Sequence, residues 1–189
     1  NIGNSFEVIE SIDFLKGYCA EDLREITYEL AIRTLMNCNI AANRKMASDM
    51  ITHSIKNGLA LAKFAEIIEA QGGNSEVINN YSLFNVGKNK ILIKALKSGF
   101  ISRLKALDVA HCAKLLGAGR DKKSDSIDYG AGVILIKKTG DFAAAGDTIM
   151  ELYYNDVEKT KLDEAVKIAQ GSFVLDDIKP EKTSLIYKY

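Results

Sequence analysis

Charge of one sign, cysteine, histidine and proline are all scarce in this 189-residue sequence, and each scarcity excludes something. Lys plus Arg numbers 25 and Asp plus Glu numbers 25, for a formal net charge of +0. A general nucleic-acid binder needs surplus cations to displace counterions, so no nucleic acid is expected as a partner. The basic cluster Lys88, Lys90, Lys94 and Lys97 reads as a solvated face beside a strand. Cys19, Cys38 and Cys112 are odd in number and widely spaced. Neither a disulfide framework nor a zinc site fits that spacing, and free thiols in a reducing cytosol are expected. No apolar run approaches membrane-spanning length and no secretory leader is recognisable, so a cytoplasmic protein without a membrane partner is expected. The single proline, Pro180, lies in a polar stretch near the end.

What is present is periodic. Residues Asn4 to Lys16 carry Phe6, Ile9, Ile12 and Leu15 at helical spacing, with Gly17 just beyond. Asn4, three residues before Glu7, fits an N-cap with its capping-box partner. A second helix is expected from Ala20 to about Leu35, with Leu23, Ile26, Leu30 and Ala31 on one face. A third runs from about Ala42 to Lys56, with Met46, Met50, Ile51 and Ile55 inward and Gly58 as its stop. A fourth, Leu59 to Ala70, carries Leu61, Phe64, Ile67 and Ile68 and ends at Gly72-Gly73. The polar, Asn-rich stretch from Asn74 to Lys90 reads as a connection, after which the period changes.

Ile91 to Ala95 and Gly99 to Leu104 read as strands flanking the turn signal Lys97-Ser98-Gly99. Leu107 to Leu116 is a short amphipathic helix. From there the chain passes Gly117-Ala118-Gly119-Arg120 and Ser124 to Asp128 into two apolar runs. Gly132 to Ile136 is followed by Gly140-Asp141, and Thr148 to Leu152 is preceded by Gly146-Asp147. Glycine supplies a positive φ for a tight turn, and aspartate bonds the nearby backbone. A compact β-hammerhead follows from this pattern. Lys159 to Gln170 reads as a helix and Ser184 to Tyr189 as a last strand.

Few residues could carry chemistry. His53 follows Asp49 by one turn, with no nucleophile placed beside it, and reads as a surface or capping residue. His111 adjoins Cys112 on a helix, so their side chains diverge by about 100° and cannot form a nucleophile–base pair. Gly117 to Arg120 follows a helix, whereas a phosphate cradle runs strand, glycine loop, helix. Gly117 is therefore read as a helix cap, Gly119 as part of a tight turn, and Arg120 as a partner of Asp125 or Asp128. Asp121, Asp125 and Asp128 lack the glycine and glutamate of a calcium loop. A swinging-arm carrier needs a lysine after the Ala-Gly-Asp run, but Glu151 to Asp156 contains none, and Lys137-Lys138 precede Gly140-Asp141.

Taken together, Ile2-Gly3-Asn4-Ser5-Phe6-Glu7-Val8-Ile9-Glu10, Ala70-Gln71-Gly72-Gly73, and Leu116 to Arg120 with Ile127-Asp128-Tyr129, Gly132, Lys138, Gly140-Asp141 and Gly146-Asp147 resemble the pyrimidine-nucleoside phosphorylase family, which includes thymidine phosphorylase. The likeness covers essentially the whole chain in order. It implies a C-terminal fragment of an enzyme roughly twice as long. The fold implied is α+β: residues 1–86 are a helical remnant of the central domain, and residues 90–189 the C-terminal α/β hammerhead domain. It further implies a cytoplasmic homodimer acting on a pyrimidine nucleoside and phosphate. That glycosyltransferase reaction is reversible phosphorolysis of thymidine or uridine to free base and pentose 1-phosphate. The family's phosphate-binding and base-binding residues lie in parts without counterparts here, so no catalytic or substrate-binding residue is expected in this chain. No covalent cofactor is implied. A monovalent cation, K+, is implied for the larger enzyme with Glu10 as a ligand, and no specific cation binding is expected of this chain alone. The alternative weighed beside this is a non-enzymatic binding or interaction module reusing a biotinyl- or lipoyl-like hammerhead.

Overall fold

The computed structural model describes residues 1–120 and 122–187. The fold is α+β, with six α-helices and two small antiparallel sheets among the described residues. The chain divides into two compact units: residues 1–8 with 84–182, and residues 9–83 with 183–189.

In the sheet unit the strands are β1 (Asn89–Lys94), β2 (Gly99–Leu104), β3 (Gly132–Leu135), β4 (Phe142–Ala143), β5 (Thr148–Tyr154) and β6 (Phe173–Asp176). One sheet has the order β1-β5-β3 and the other β4-β2-β6. β1 and β2, read from sequence as flanking a turn, thus belong to different sheets and do not pair with each other. The two apolar runs do pair, with Val133 opposite Leu152 and Leu135 opposite Met150.

The two Gly-Asp pairs form equivalent turns. Gly140 has φ +94° and Gly146 φ +91°. Lys138 N–H donates to Asp141 Oδ2 (2.8 Å), and Ala144 N–H donates to Asp147 Oδ2 (3.0 Å). Each aspartate also donates its own N–H back across its turn, to Lys138 O and Ala144 O respectively (3.0 Å each). These turns take the chain out of the first sheet to β4 in the second, then back to β5. Helices α5 (Ala106–Ala113) and α6 (Lys159–Gly171) cover the core. Val109, Cys112, Ala165 and Ala169 meet Ile93, Ile101, Val133, Met150 and Leu152 there, all buried.

The helical unit holds most of α1 (Asn4–Leu15), then α2 (Glu21–Asn37), α3 (Arg44–Lys56) and α4 (Leu59–Ala70). Gly17 (φ +93°) lies just beyond α1, and Asn43 caps α3 by accepting from Met46 N–H at 2.9 Å. Tyr81 joins this unit by donating to Asp13 at 2.5 Å, with Lys16 Nζ 4.6 Å over its ring. Burial and the neighbouring carboxylate push the Tyr81 hydroxyl up to about 12.

One reading of this unit is corrected: on α3 the buried position is Ala47, while Met46 and Met50, read as inward, are exposed. On α2 the buried position is Ile32, while Ile26 and Leu30 are exposed. On α4 no residue is buried. Helical spacing identifies an apolar stripe but does not say what lies against it.

Further along, Ser184 to Tyr187 form no strand, and Lys188 and Tyr189 lie outside the described residues. The terminal strand is instead β6, whose Phe100–Asp176 and Leu104–Phe173 pairings hold it to β2.

Candidate functional site

Two family-resembling stretches of the sheet unit, one at Ile2 to Phe6 and one at Ile127 to Gly132, come together around Gly132. Ile2 bridges to β3, with Ile2 N–H donating to Val133 O (2.9 Å) and Val133 N–H to Ile2 O (2.7 Å). Ser5 N–H donates to Tyr129 O (3.2 Å) and Ser5 Oγ to Asn85 O (3.0 Å). The Phe6 ring lies 4.8 Å from that of Tyr153. A Cβ on Gly132 would fall 2.5 Å from Ile2 O and 2.7 Å from Phe6 Cδ2. One on Gly3, which has φ +126°, would fall 2.6 Å from Ala131 O. Only glycine lets the two backbones approach this closely.

Asn4 does not cap α1 as its position suggested. Gly3 N–H donates to Glu7 Oε1 (2.9 Å), so the capping-box bond is made one residue earlier. The Asn4 amide is thereby released to donate to Ala118 O at 3.1 Å. Asp128 is the other tie: it accepts from Gly130 N–H and from Asn155 Nδ2, each at 2.8 Å. Its own N–H donates to Gly117 O at 2.9 Å.

Beside this junction, α5 runs into a wide turn, Lys114–Ala118, where Gly117 takes φ +109° as a helix-ending glycine should. Gly119 is extended. The turn borders an open cavity of about 340 Å³ lined by Lys114, Arg120 and Lys161 and by Asp125, Asp156 and Glu158, with Ser126 between. Among the described residues that line it, three cations face three carboxylates, so their formal charges cancel, and no histidine or cysteine is present. Arg120 donates to Lys123 O (3.4 Å), and Asp128, with Gly130 and Asn155 as its partners, does not pair with it. Asp125 accepts from Lys122 N–H at 2.9 Å. Asp121 lies outside the described residues.

The remaining candidates are dispersed. His53 is exposed and shares a 2.7 Å hydrogen bond with Asn57, while Asp49 pairs with Lys45 (2.6 Å). His111 is exposed while Cys112 is buried, and burial pushes that thiol up to about 12. Lys137 Nζ donates to Phe142 O (2.8 Å) and lies 3.2 Å from Asp147, a held side chain rather than a swinging arm. The N–H of Ala144, then Lys137, hold the Asp147 carboxyl below its ordinary range. Lys88, Lys90, Lys94 and Lys97 are exposed, and Lys90 pairs with Glu151 at 3.2 Å. Glu10 is half-buried on α1. Among the described residues no group of three or more His, Cys, Asp or Glu is placed to hold a metal, and no helix is long and apolar enough to cross a membrane.

These features define an α+β module whose built element is a glycine-dependent junction. Residues 100–175 match the family model described as the pyrimidine nucleoside phosphorylase C-terminal domain. The chain is 37% identical over 172 residues to the pyrimidine-nucleoside phosphorylase of Staphylococcus haemolyticus (strain JCSC1435), covering 88% of this chain and 40% of that relative. It is 36% identical over 173 residues to the enzyme of the same name from Staphylococcus aureus (strain USA300), covering 89% and 40%. These matches support a C-terminal fragment of the pyrimidine-nucleoside phosphorylase family, and the chain spans 40% of the length of these relatives.

Proposed function

We propose that this chain supplies the C-terminal portion of a pyrimidine-nucleoside phosphorylase, an enzyme that moves a pentosyl group between a pyrimidine base and phosphate. The observation that carries this is the ordered similarity to enzymes of that name over 88% of the chain. The substrates are a thymidine- or uridine-type nucleoside and inorganic phosphate, and the products are free base and pentose 1-phosphate. In this reading residues 1–86 derive from the central helical part and residues 90–189 form the C-terminal domain. Their task is mechanical: to frame the cleft and carry its closure. The working enzyme is a cytoplasmic homodimer, and Glu10 contributes to a monovalent-cation site completed by residues outside this chain.

Phosphorolysis concentrates negative charge at the phosphate, which must be met by cations and N–H donors. The charge-balanced cavity beside Arg120 is unsuited to that work, so the chain alone turns over no nucleoside. Two measurements test the reading. The purified chain, given thymidine or uridine with phosphate, releases no base by liquid chromatography. The same chain, substituted for the matching segment of the Staphylococcus haemolyticus enzyme, yields an active chimera. Base release by the chain alone, or a folded but inactive chimera, overturns it.

A further inference from the structure

Helices α3 and α4 are joined by two residues, Asn57 and Gly58, the only Asn-Gly pair in the sequence. The turn requires the glycine. Gly58 takes φ +72°, a left-handed conformation that glycine adopts without strain. Asn57 (φ −89°, ψ 0°) ends α3 by donating its N–H to His53 O at 3.0 Å. Asn57 is exposed, and a Cβ on Gly58 would meet nothing within 4 Å. The peptide bond between them therefore lies open to water. Glycine has no side chain to hinder attack by its nitrogen on the preceding amide, so an open Asn-Gly bond is chemically vulnerable.

Other asparagine amides are committed to the backbone. Asn4 donates to Ala118 O at 3.1 Å. Asn43 accepts from Met46 N–H at 2.9 Å, Asn74 from Glu76 N–H at 2.9 Å and Asn80 from Ser82 N–H at 3.1 Å. A larger residue than glycine follows each of them. The Asn57 amide instead meets a side chain, with Nδ2 2.7 Å from His53 Nε2. An amide nitrogen cannot accept, so Nδ2 donates and the imidazole lone pair accepts. This bond draws the amide back one turn along α3. The Gly58 nitrogen lies forward in the chain and donates its own N–H to Ile55 O at 3.0 Å.

We infer that Asn57 is a site of spontaneous deamidation and that His53 is the latch that slows it. In the reaction Gly58 N gives up its proton and bonds to Asn57 Cγ. The Cγ–Nδ2 bond breaks, and ammonia leaves with that proton. Water then opens the succinimide at either carbonyl, leaving aspartate or isoaspartate at position 57. Two hydrogen bonds must open first, Asn57 to His53 and Gly58 to Ile55, and helix ends open readily. The product sets a carboxylate at the C-terminal end of α3, where the helix dipole opposes it. Isoaspartate also adds a methylene to the main chain of a two-residue turn. None of this depends on the enzymatic reading above.

The test incubates the 189-residue chain in mildly alkaline buffer at physiological temperature and follows it by peptide mass spectrometry. Asn57 shows the mass change of exchanging NH2 for OH, and isoaspartyl methyltransferase labels the aged chain there. Asn74, committed to Glu76 and followed by serine, converts at least about tenfold more slowly. His53→Ala removes the acceptor and raises the Asn57 rate about two- to tenfold, the worth of one neutral hydrogen bond. Unfolding would expose both asparagines alike, so the ratio of the Asn57 rate to the Asn74 rate separates release of the latch from loss of fold. Asn57→Gln abolishes the isoaspartate label, since its ring would need one more atom. An Asn57 rate no greater than that of Asn74, or a label undiminished in Asn57→Gln, overturns the site. A ratio that stays level or falls in His53→Ala overturns the latch.

Discussion

Replacing Gly132 by alanine inserts a methyl group into the tightest contact of the sheet unit. The new carbon would lie 2.5 Å from Ile2 O and 2.7 Å from Phe6 Cδ2, roughly 1 Å short of ordinary van der Waals separation. Neither obstacle is the free end of a flexible chain. Ile2 O is backbone held by the 2.7 Å bond from Val133 N–H, and Phe6 is buried against Tyr153. Two outcomes bound the cost. If the backbones shift slightly, overpacking costs about 1–3 kcal/mol. If the first residues detach, the two Ile2–Val133 bonds, the two Ser5 bonds and the Asn4–Ala118 bond are lost, at about 1 kcal/mol each. With them go the aromatic pair, about 1 kcal/mol, and the burial of Phe6, about 2 kcal/mol. The detachment route caps the loss at about 8 kcal/mol, and the cheaper backbone shift puts the expected loss at about 2–4 kcal/mol. Gly171→Ala makes the same chemical change at the end of α6, where the added carbon meets nothing within 4 Å. It should be neutral or stabilising by up to about 1 kcal/mol. Urea unfolding followed by circular dichroism compares the two. A Gly132→Ala protein as stable as the unsubstituted chain would refute the close-approach argument.

Other perturbations follow from the same coordinates. Leu152→Ala empties a fully buried position on the central strand β5 and should cost about 2–5 kcal/mol by the same urea measurement. Asp128→Ala removes the acceptor of Gly130 and Asn155 and should cost about 1–3 kcal/mol. Iodoacetamide at pH 8, read by peptide mass mapping, should modify exposed Cys38 and leave Cys112 intact, because burial raises the latter thiol to about 12. Hydrogen bonds from Arg44 and Arg33 lower the Glu29 carboxyl from 4.5 to about 2. Below pH 4.5 the unfolded chain protonates Glu29 before the folded one does, so this contribution is complete above that pH and fades as pH falls toward 2. Glu29→Gln should flatten that part of the stability profile, and an unchanged urea midpoint-versus-pH curve between pH 2 and 5 would contradict the pairing.

The legible parts of the sequence were those settled within a few residues. The helix from Asn4, the glycine stop at Gly17 and the Gly-Asp turns at 140–141 and 146–147 depend on local backbone geometry, and they stand where the pattern put them. Asn4 was misread because Gly3, with its positive φ, starts the helix one residue sooner and frees the amide for Ala118. β6 and β4 were missed because strands of four and two residues carry too little alternation to register. The Asp128 alternative for Arg120 gives way because Asp128 is engaged by Asn155, which follows a different strand.

By itself, the order of residues determined the helices, the turn chemistry, the apolar runs of β3 and β5 and the family likeness. Each of these is encoded in neighbours along the chain or in the string of residues itself. Tertiary structure alone decided that β1 and β2 part into separate sheets, that Gly132 must be small because Ile2 and Phe6 lie on it, and that Met46, Met50 and Leu59 face outward. Burial and strand partnership belong to contacts between distant segments. A periodic stripe states that a face is apolar, and only the surrounding chain determines whether anything covers it.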